Sequence, residues 1–600
     1  MDLVFLNGKL VGKSDDGKGL IKALIEDRRA GKLPSSLNTR YIEETSSVMI
    51  NTDGGRLTRA LIVVKNGRPL VTEEDVKLLA EGHITWNDLI NSGKIEYLDA
   101  DEEEGAYTAL SEDEVTKEHT HLEITPLSVF GTQASLLPFI NHSNAHRNVT
   151  AVKSVQQGVG IYSTNYLIRM DNDSMIAVDQ QIPLVRTKIY DSENFSTHPL
   201  GQNIVVAVMS YLGYNMDDAV IINKSSVERG LFKSLFFRPY KVEETKYIGG
   251  QTDSICVPDK DVIGYRSEDS YRFLDDDGIV PPGAKIDSGD VLIGRVSPPR
   301  FVSSVDKFRL GLQKQVESSV ECKTGEGGVV DNVFVTSTAD GNKYVSLKVR
   351  QDRTLEVGDK FGTRSGQKGV VGMLLNQEDM PFTLSGVVPD LLFSPYSLPS
   401  RMTMGYLLEL IGGKVGAMGG RYIDGTSFTG EDEESLRKEL ASFGFRENGV
   451  ELMYNGITGE EMKARIFVGD MLYIRLKHFV ANKIQWRARG PIQLLTRQPT
   501  EGRSKSGGLR LGEMEKDVFV AYGAALSLKE RFDSDKVTIP VCSKCGLISV
   551  YNVRKRTGYC HLDGEDAPIK LIEVSASFKI LLDELKSIGI YPKILLGRKV

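Results

Sequence analysis

The sequence predicts a multidomain protein of mixed α+β class, on three observations. A chain of 600 residues is too long for one hydrophobic core and should divide into about four modules. Its first stretch mixes a helix-like run, GKGLIKALIEDRRAGKL, with a strand-like one, ALIVVKNGRPLV. Its middle turns into short β-type runs such as VLIGRV and KYVSLKVR, separated by clusters of Gly, Pro and Asp.

In chain order, residues 1–123 read as a separate α+β module that carries the acidic segment 99–104 towards its end. Residues 236–350 read as an inserted β domain. Its flanks, 124–235 and 351–506, hold most of the Gly-rich loops and charge clusters and read as two parts of one discontinuous domain. Residues 507–530 are a helical stretch, and 531–600 contain a cysteine cluster followed by an amphipathic helix over 577–588. The sequence has no internal repeat and no low-complexity tract.

Hydrophobic residues at 40% and charged residues at 26% suit a soluble globular protein and argue against disorder. The longest apolar stretches, such as 204–209 and 60–64, fall far short of the ~18 residues a membrane span needs. The N-terminal MDLVFLNGKLVGKSDDG lacks the basic region, apolar core and cleavage site of a signal peptide, so a cytoplasmic location is expected. Cys256 and Cys322 stand alone while Cys542, Cys545 and Cys560 cluster, which is unlike a disulfide framework and fits one metal site in a reducing compartment. The formal net charge of −7 excludes wholesale coating of nucleic acid, so any such contact must be local.

Four constellations carry chemistry. In GYNMDDAVIINKSSVERGLF, residues 213–232, Asp217 and Asp218 lie between the strand-like IVVAVMSY and the apolar AVII. Adjacent carboxylates repel unless solvated or paired with a cation, so they either help hold Mg²⁺ or form a solvated turn. In VGDKFGTRSGQKGVVG, residues 357–372, Lys360, Arg364 and Lys368 are interleaved with glycines at 358, 362, 366 and 369. Glycines let a backbone approach phosphates that the cations neutralise; the alternative is a flexible basic hairpin. The spacing is not that of a P-loop, and ATP hydrolysis is not implied.

The third constellation, IQWRARGPIQLLTRQPTEGRSKSGGLRL at 484–511, sets Arg487, Arg489, Arg497, Arg503, Lys505 and Arg510 against the single acid Glu501. It reads as a nucleic-acid backbone surface, with a merely solvated basic face as the alternative. The fourth is Cys542, Cys545 and Cys560, with His561 or Asp563 as fourth ligand. A CxxC with a third cysteine about fifteen residues on suits a structural zinc ribbon better than a thioredoxin-type redox pair, because no βαβ context surrounds it.

These residues resemble a known family. VFLNGKLVG, GYNMDDAVIINKSSVERGLF, GDKFGTRSGQKG, EDMPFTLSGVVPDLLFSPYSLPSRMTMGYLLE, MYNGITGE, RARGPIQLLTRQPTEGRSKSGGLRLGEMEKD and CSKCG are similar, in order, to blocks of the second-largest subunit of multi-subunit DNA-directed RNA polymerases. The resemblance runs from about residue 4 to the end and is to the C-terminal half of that subunit, of archaeal type. The family's protrusion, lobe and fork modules would precede it. Met1 at that junction resembles the split genes of some archaea, whose two products reassemble, although a fragment would look the same.

The resemblance implies a double-psi β-barrel hybrid-binding domain built from 124–235 and 351–506, with a flap or wall domain over 236–350 inserted in it. An anchor over 507–530 and a clamp segment with a zinc ribbon over 531–600 would follow. It implies nucleotidyl transfer, with Asp218 helping to position the second catalytic Mg²⁺ and Asp217 standing where glutamate is usual. Lys360 and Lys368 would face the RNA 3′ end and its phosphates, Arg401 and Arg147 the incoming triphosphate, and Gln157 the RNA end. The family's main metal-binding motif, NADFDGD, belongs to the largest subunit and does not occur here, so the chain alone should be inactive. The implied partners are the largest subunit, the N-terminal half of the second-largest, smaller assembly subunits, the DNA template, the RNA–DNA hybrid and NTPs. A non-catalytic nucleic-acid scaffold and a self-sufficient two-barrel polymerase are the competing readings. Retention of Asp218, Lys360, Lys368 and Arg401 together opposes the first, and the missing NADFDGD opposes the second.

Overall fold

The computed structural model describes residues 2–171, 173–247, 251–298, 315–323 and 325–597. It is a sheet-rich mixture of helices and strands that separates into two units, one spanning 1–320 and 328–479 and the other 321–327 and 480–600. Among the described residues, no helix is long and apolar enough to cross a membrane.

In the first unit, the helix-like run near the N-terminus forms the helix Gly17–Arg29, started by the Asp16 carboxylate, which accepts from Gly19 N at 2.9 Å. The helix lies against a four-stranded sheet, and a second sheet is built around the strand Thr58–Lys65. The acidic segment is matched by arginines. Arg28 clasps Glu102 through two hydrogen bonds of 2.8 and 2.7 Å, with side chains only 3% and 9% exposed. Arg56 pairs with Asp99, and Arg59 with Glu103. Buried charges are tolerable here because each has an opposite partner and further hydrogen bonds.

The larger sheet of this unit contains six strands that pair in a ring. Gln202–Val208 pairs with Leu391–Phe393, which pairs with Ala219–Asn223 and then Lys368–Leu375. Lys368–Leu375 continues to Lys360–Thr363, and that strand to Glu461–Arg475, which returns to Gln202–Val208. The ring therefore draws on both segments that flank the insertion. Its strands contribute Val206, Val220, Ile222, Phe361, Val371 and Tyr473 to one cluster of buried side chains. Each such apolar side chain stabilises the fold by roughly 1.5–3 kcal/mol on burial. The helix Met404–Gly419 is apolar nearly all round and is buried accordingly. Gly413 lets it press on the strand Glu461–Arg475, since an added Cβ would collide with the Asp470 carbonyl.

Between the ring strands Ala219–Asn223 and Lys360–Thr363 the chain leaves to build a five-stranded sheet. Its order is Ser174–Ala177, Ser234–Glu243, Lys343–Arg353, Gly328–Ser337 and Lys285–Ile286. The strand Ser174–Ala177 comes from the flank that precedes the insertion.

In the smaller unit the strands Lys536–Cys542 and Ile569–Ser575 pair antiparallel and lead into the helix Ala576–Ser587. The expected helical stretch is two helices, Glu513–Ala521 and Ala525–Phe532, because Gly523 adopts a left-handed φ of 71° between them. Neither has a buried residue, and Met514, Tyr522 and Leu526 are at least 80% exposed.

Within the ring strand Glu461–Arg475, burial pushes the Asp470 carboxyl up to about 6, a rise that Lys414 opposes and that Asp390 and Glu451 reinforce. Its folded value lies above the unfolded one of about 3.9, so its contribution is favourable at low pH and is lost as pH rises through 6. Asp470→Asn should therefore stabilise the chain by about 2–3 kcal/mol at pH 8 and by roughly half as much at pH 5. Denaturant unfolding at the two pH values measures the difference.

Candidate functional site

The Gly-rich segment forms the hairpin of Lys360–Thr363 and Lys368–Leu375, in which Lys360 lies opposite Val370 and Gly362 opposite Lys368. Side chains alternate across a strand, so Lys360, Lys368 and Val370 share one face while Phe361 and Val371 are buried on the other. Lys368 is exposed and Lys360 half-buried.

Three glycines of the segment are demanded by neighbouring backbone. A Cβ at Gly366 would lie 2.5 Å from the Arg147 carbonyl oxygen. One at Gly369 would collide with the Asp218 carbonyl, and one at Gly372 with that of Tyr214. Protein backbone occupies the space that these glycines leave. The result is that Val370 N donates to Asp218 O at 3.1 Å, which seats the two-aspartate turn beside the hairpin.

That turn is strained. Asp217 and Asp218 both adopt left-handed φ values, 52° and 69°, as does Met402 at 53° immediately after Arg401. The Arg401 guanidinium bridges the two places: Nη2 pairs with the Asp218 carboxylate, and Nη1 donates to Gln367 Oε1 at 2.7 Å. Gln367 Nε2 in turn donates to Thr403 Oγ1 at 2.7 Å. Gln367 lies within GDKFGTRSGQKG but has no charge to mark it.

Arg147 lies in the helix Ala145–Gln156, whose first turn is capped by Asn144 through His146 N. Its carbonyl borders Gly366, and Ser143 bridges Thr403. Gln157 follows the same helix, about 15 Å further along its axis. It belongs to the Lys360 end: Lys477 N donates to Gln157 O at 3.0 Å, and Leu476 N to Lys360 O at 2.9 Å. Gln157 Oε1 and His478 Nε2 lie 2.9 Å apart.

Two of the cations expected at nucleic acid have partners within the chain. Arg364 turns inward, with its side chain 6% exposed, and Nη2 donates to Glu409 Oε1 at 2.5 Å and Val185 O at 2.7 Å. Arg487 folds its own loop by donating to the carbonyls of Pro491, Ser506 and Gly490 at 3.0, 2.9 and 2.9 Å. Of the remaining cations in that segment, Arg489, Arg497, Lys505 and Arg510 are exposed and Arg503 is half-buried.

In the smaller unit, Cys542, Cys545, Cys560 and Asp563 bring four donor atoms within 4.8 Å of one another. Cys542 Sγ lies 3.3 Å from Asp563 Oδ2, and Cys545 Sγ 3.4 Å from Cys560 Sγ. Left-handed glycines, Gly546 and Gly564, shape the turns that present the donors. Hydrogen bonds from the thiols of Cys545 and Cys542 hold the Asp563 carboxyl below its usual range. His561 instead sits edge-on to Tyr559, ring centroids 5.4 Å apart, so Asp563 is the fourth member. Three sulfurs and one carboxylate at these separations suit one tetrahedral metal ion.

Comparison with known proteins covers most of the chain. Residues 133–505 match the family model of RNA polymerase Rpb2, domain 6, and 507–597 that of domain 7. Residues 4–65 match domain 4 and 86–126 domain 5. The chain is 45% identical to DNA-directed RNA polymerase subunit Rpo2 of Sulfolobus acidocaldarius, over all of the chain and 53% of that protein. It is 40% identical to DNA-directed RNA polymerase II subunit RPB2 of Encephalitozoon cuniculi, over 98% of the chain and 52% of the relative. With DNA-directed RNA polymerase III subunit RPC2 of Drosophila melanogaster it shares 38%, over 99% of the chain and 52% of the relative. The chain thus spans about half the length of the curated relatives it matches.

The close approach at Gly366 yields a test. Gly366→Ala must accept a left-handed φ of 79° and push against the Arg147 carbonyl, whereas Gly386→Ala has a similar φ of 85° in open space. Gly386→Ala should cost about 1 kcal/mol and Gly366→Ala at least twice that, read by denaturant unfolding.

Proposed function

Because the chain belongs to the Rpb2 family of DNA-directed RNA polymerase subunits and corresponds to the C-terminal half of that second-largest subunit, we propose that it supplies phosphate-facing side chains to the active centre of a multi-subunit polymerase. The observation that supports this best is the juxtaposition of the Asp218–Arg401–Gln367 chain with Lys368 and Lys360 on one outward face of a hairpin. In the reaction, the RNA 3′ hydroxyl attacks the α-phosphate of an NTP and pyrophosphate leaves. Lys360 and Lys368 place fixed positive charge where phosphate charge develops, and the ring that holds them fixes their position before the substrate arrives. Arg401 and Arg147 take the triphosphate, and Gln157 lies towards the RNA end.

Asp218, two-fifths exposed at a strained turn, is fitted to support a magnesium ion held mainly by the largest subunit; Asp217 is exposed beside it. Magnesium would neutralise phosphate charge. Asp218 and Arg401 neutralise each other in the chain, and a triphosphate with its magnesium would offer each a partner of opposite charge.

The six-stranded ring is read as a double-psi β-barrel that supports the RNA–DNA hybrid, and the inserted β sheet as the flap or wall behind it. Arg489, Arg497, Arg503, Lys505 and Arg510 contact nucleic-acid phosphates. The exposed apolar helices Glu513–Ala521 and Ala525–Phe532 form the anchor against the largest subunit, and the cysteine cluster is a structural zinc site in the clamp. The N-terminal half of the subunit, the smaller assembly subunits and the DNA template complete the complex, which acts in the cytoplasm. The chain alone makes no RNA.

Two experiments test this reading. In a polymerase reconstituted with the chain, replacing Lys360 and Lys368 with Ala should preserve assembly. Each loss should slow single-nucleotide addition on a preassembled scaffold at saturating NTP by tens to a thousandfold, the equivalent of roughly 2–4 kcal/mol. Addition at the parental rate would remove both lysines from the active centre. The chain should also bind about one zinc, and Cys545→Ser should release it and make 536–597 sensitive to protease. Metal analysis with limited proteolysis checks both; a metal-free but equally protected C-terminus would leave only packing or redox roles for the cysteines.

A further inference from the structure

Arg475 ends the ring strand Glu461–Arg475 and is buried with both terminal nitrogens of its guanidinium engaged. Its side chain is 3% exposed, and that of its partner Asp359 2%. Nη1 donates to Phe232 O at 2.7 Å, Arg353 O at 2.8 Å and Ser234 Oγ at 3.0 Å. Nη2 donates to Thr354 O at 3.0 Å and to Asp359 Oδ2 at 2.5 Å. The guanidinium also lies over the Phe479 ring, 4.3 Å from its centroid.

The identity of these partners matters more than their number. Ser234 and Arg353 are opposite each other at the base of the inserted sheet, so Phe232, Ser234, Arg353 and Thr354 are the two chains of its neck. Asp359 immediately precedes Lys360, and Phe361, immediately after it, pairs through the backbone with Arg475 itself. Lys360 is thus bracketed by two attachments to one residue. The Arg475 carbonyl accepts from Val159 N at 2.8 Å, which brings the segment after Gln157 to the same joint.

Mere stability does not require such an arrangement, since apolar side chains of like volume usually match or exceed a buried ion pair. What the planar guanidinium supplies is direction: a fork of donors whose geometry fixes several acceptors relative to one another. A lysine ammonium could keep the charge opposite Asp359 but could not span both strands of the neck.

We infer that Arg475 is a positioning residue, a joint that fixes the neck of the inserted β domain and the backbone on either side of Lys360 as one body. This rests on the reading that Lys360 faces reacting phosphates, and it adds that the inserted domain and Lys360 are mechanically coupled. Arg475 acts through Lys360, not on the substrate.

The test combines Arg475→Lys, which leaves no uncompensated buried carboxylate, with Lys360→Ala and the double variant, in the reconstituted polymerase. A second route, Arg475→Gln with Asp359→Asn, removes both charges and serves if the lysine variant fails to assemble. Arg475→Lys should slow single-nucleotide addition about tenfold, with the NTP concentration for half-maximal rate changed less than twofold. In the Lys360→Ala background the same change should slow addition less than twofold, because the group it positions is gone. Equal slowing in both backgrounds overturns the inference, as does an unaltered rate for Arg475→Lys where Lys360→Ala alone is slow. If Lys360→Ala itself extends RNA at the parental rate, the active-centre reading fails instead. Hydrogen exchange on the full chain then decides the joint: amides of 232–236, 353–356 and 359–363 should exchange faster in Arg475→Lys while those of 203–208 do not. Uniform acceleration across all four segments would reduce Arg475 to general stability.

Discussion

The antiparallel pairing of Gln202–Val208 with Glu461–Arg475 is the constraint on which the larger unit depends. It joins residues more than 250 positions apart in sequence and closes the ring of strands. Bringing such distant segments together costs about 5 kcal/mol in loop-closure entropy. Seven residue pairs, from Gln202 opposite Tyr473 to Val208 opposite Phe467, and the buried cluster behind them offset that cost. Every element of the candidate site hangs from this closure. Asp218 precedes one ring strand, Lys360 and Lys368 begin two others, and Arg475 ends the strand that completes the circuit.

Closure also explains how an acidic chain presents a basic site. With a net charge of −7, long-range attraction for nucleic acid is weak, and cations must be fixed singly where they act. The fold does this by pairing. Asp218 is held by Arg401, Asp359 by Arg475 and Glu409 by Arg364, which leaves Lys368 directed outwards. The same economy operates near the N-terminus, where the acidic segment is matched to Arg28, Arg40, Arg56 and Arg59.

What the sequence made legible is what local pattern determines. The helix Gly17–Arg29, the strand-rich insertion, the hairpin lysines and the cysteine cluster all follow from periodicity, spacing or motif. Less legible is which partner a charged side chain takes within the chain. Arg364 looks like one of three interleaved cations until Glu409, 45 residues on, is seen to bury it. Arg487 looks like a phosphate contact, and the structure adds that its loop folds three carbonyls around the guanidinium. Glycines 366 and 369 suit a phosphate or a neighbouring strand equally well on paper, and the neighbour is supplied by residues 147 and 218. Gln367 carries no charge, and Arg475 lies outside every motif. Their importance exists only once three or more segments converge on them. The choice of Asp563 over His561 turned on which way two nearby side chains point, which spacing alone leaves open.

The neck of the inserted sheet has an architectural corollary. Ser234 and Arg353 are a directly opposed pair, so the chain departs and returns at points roughly 5 Å apart. To the ring, more than a hundred intervening residues amount to a hairpin turn. Such a port fixes the separation of its two ends whatever the length of chain between them. Changes to the outer sheet that keep this opposed pair would therefore leave the register of every ring strand as it is, and a designer could graft a reporter domain there under the same rule.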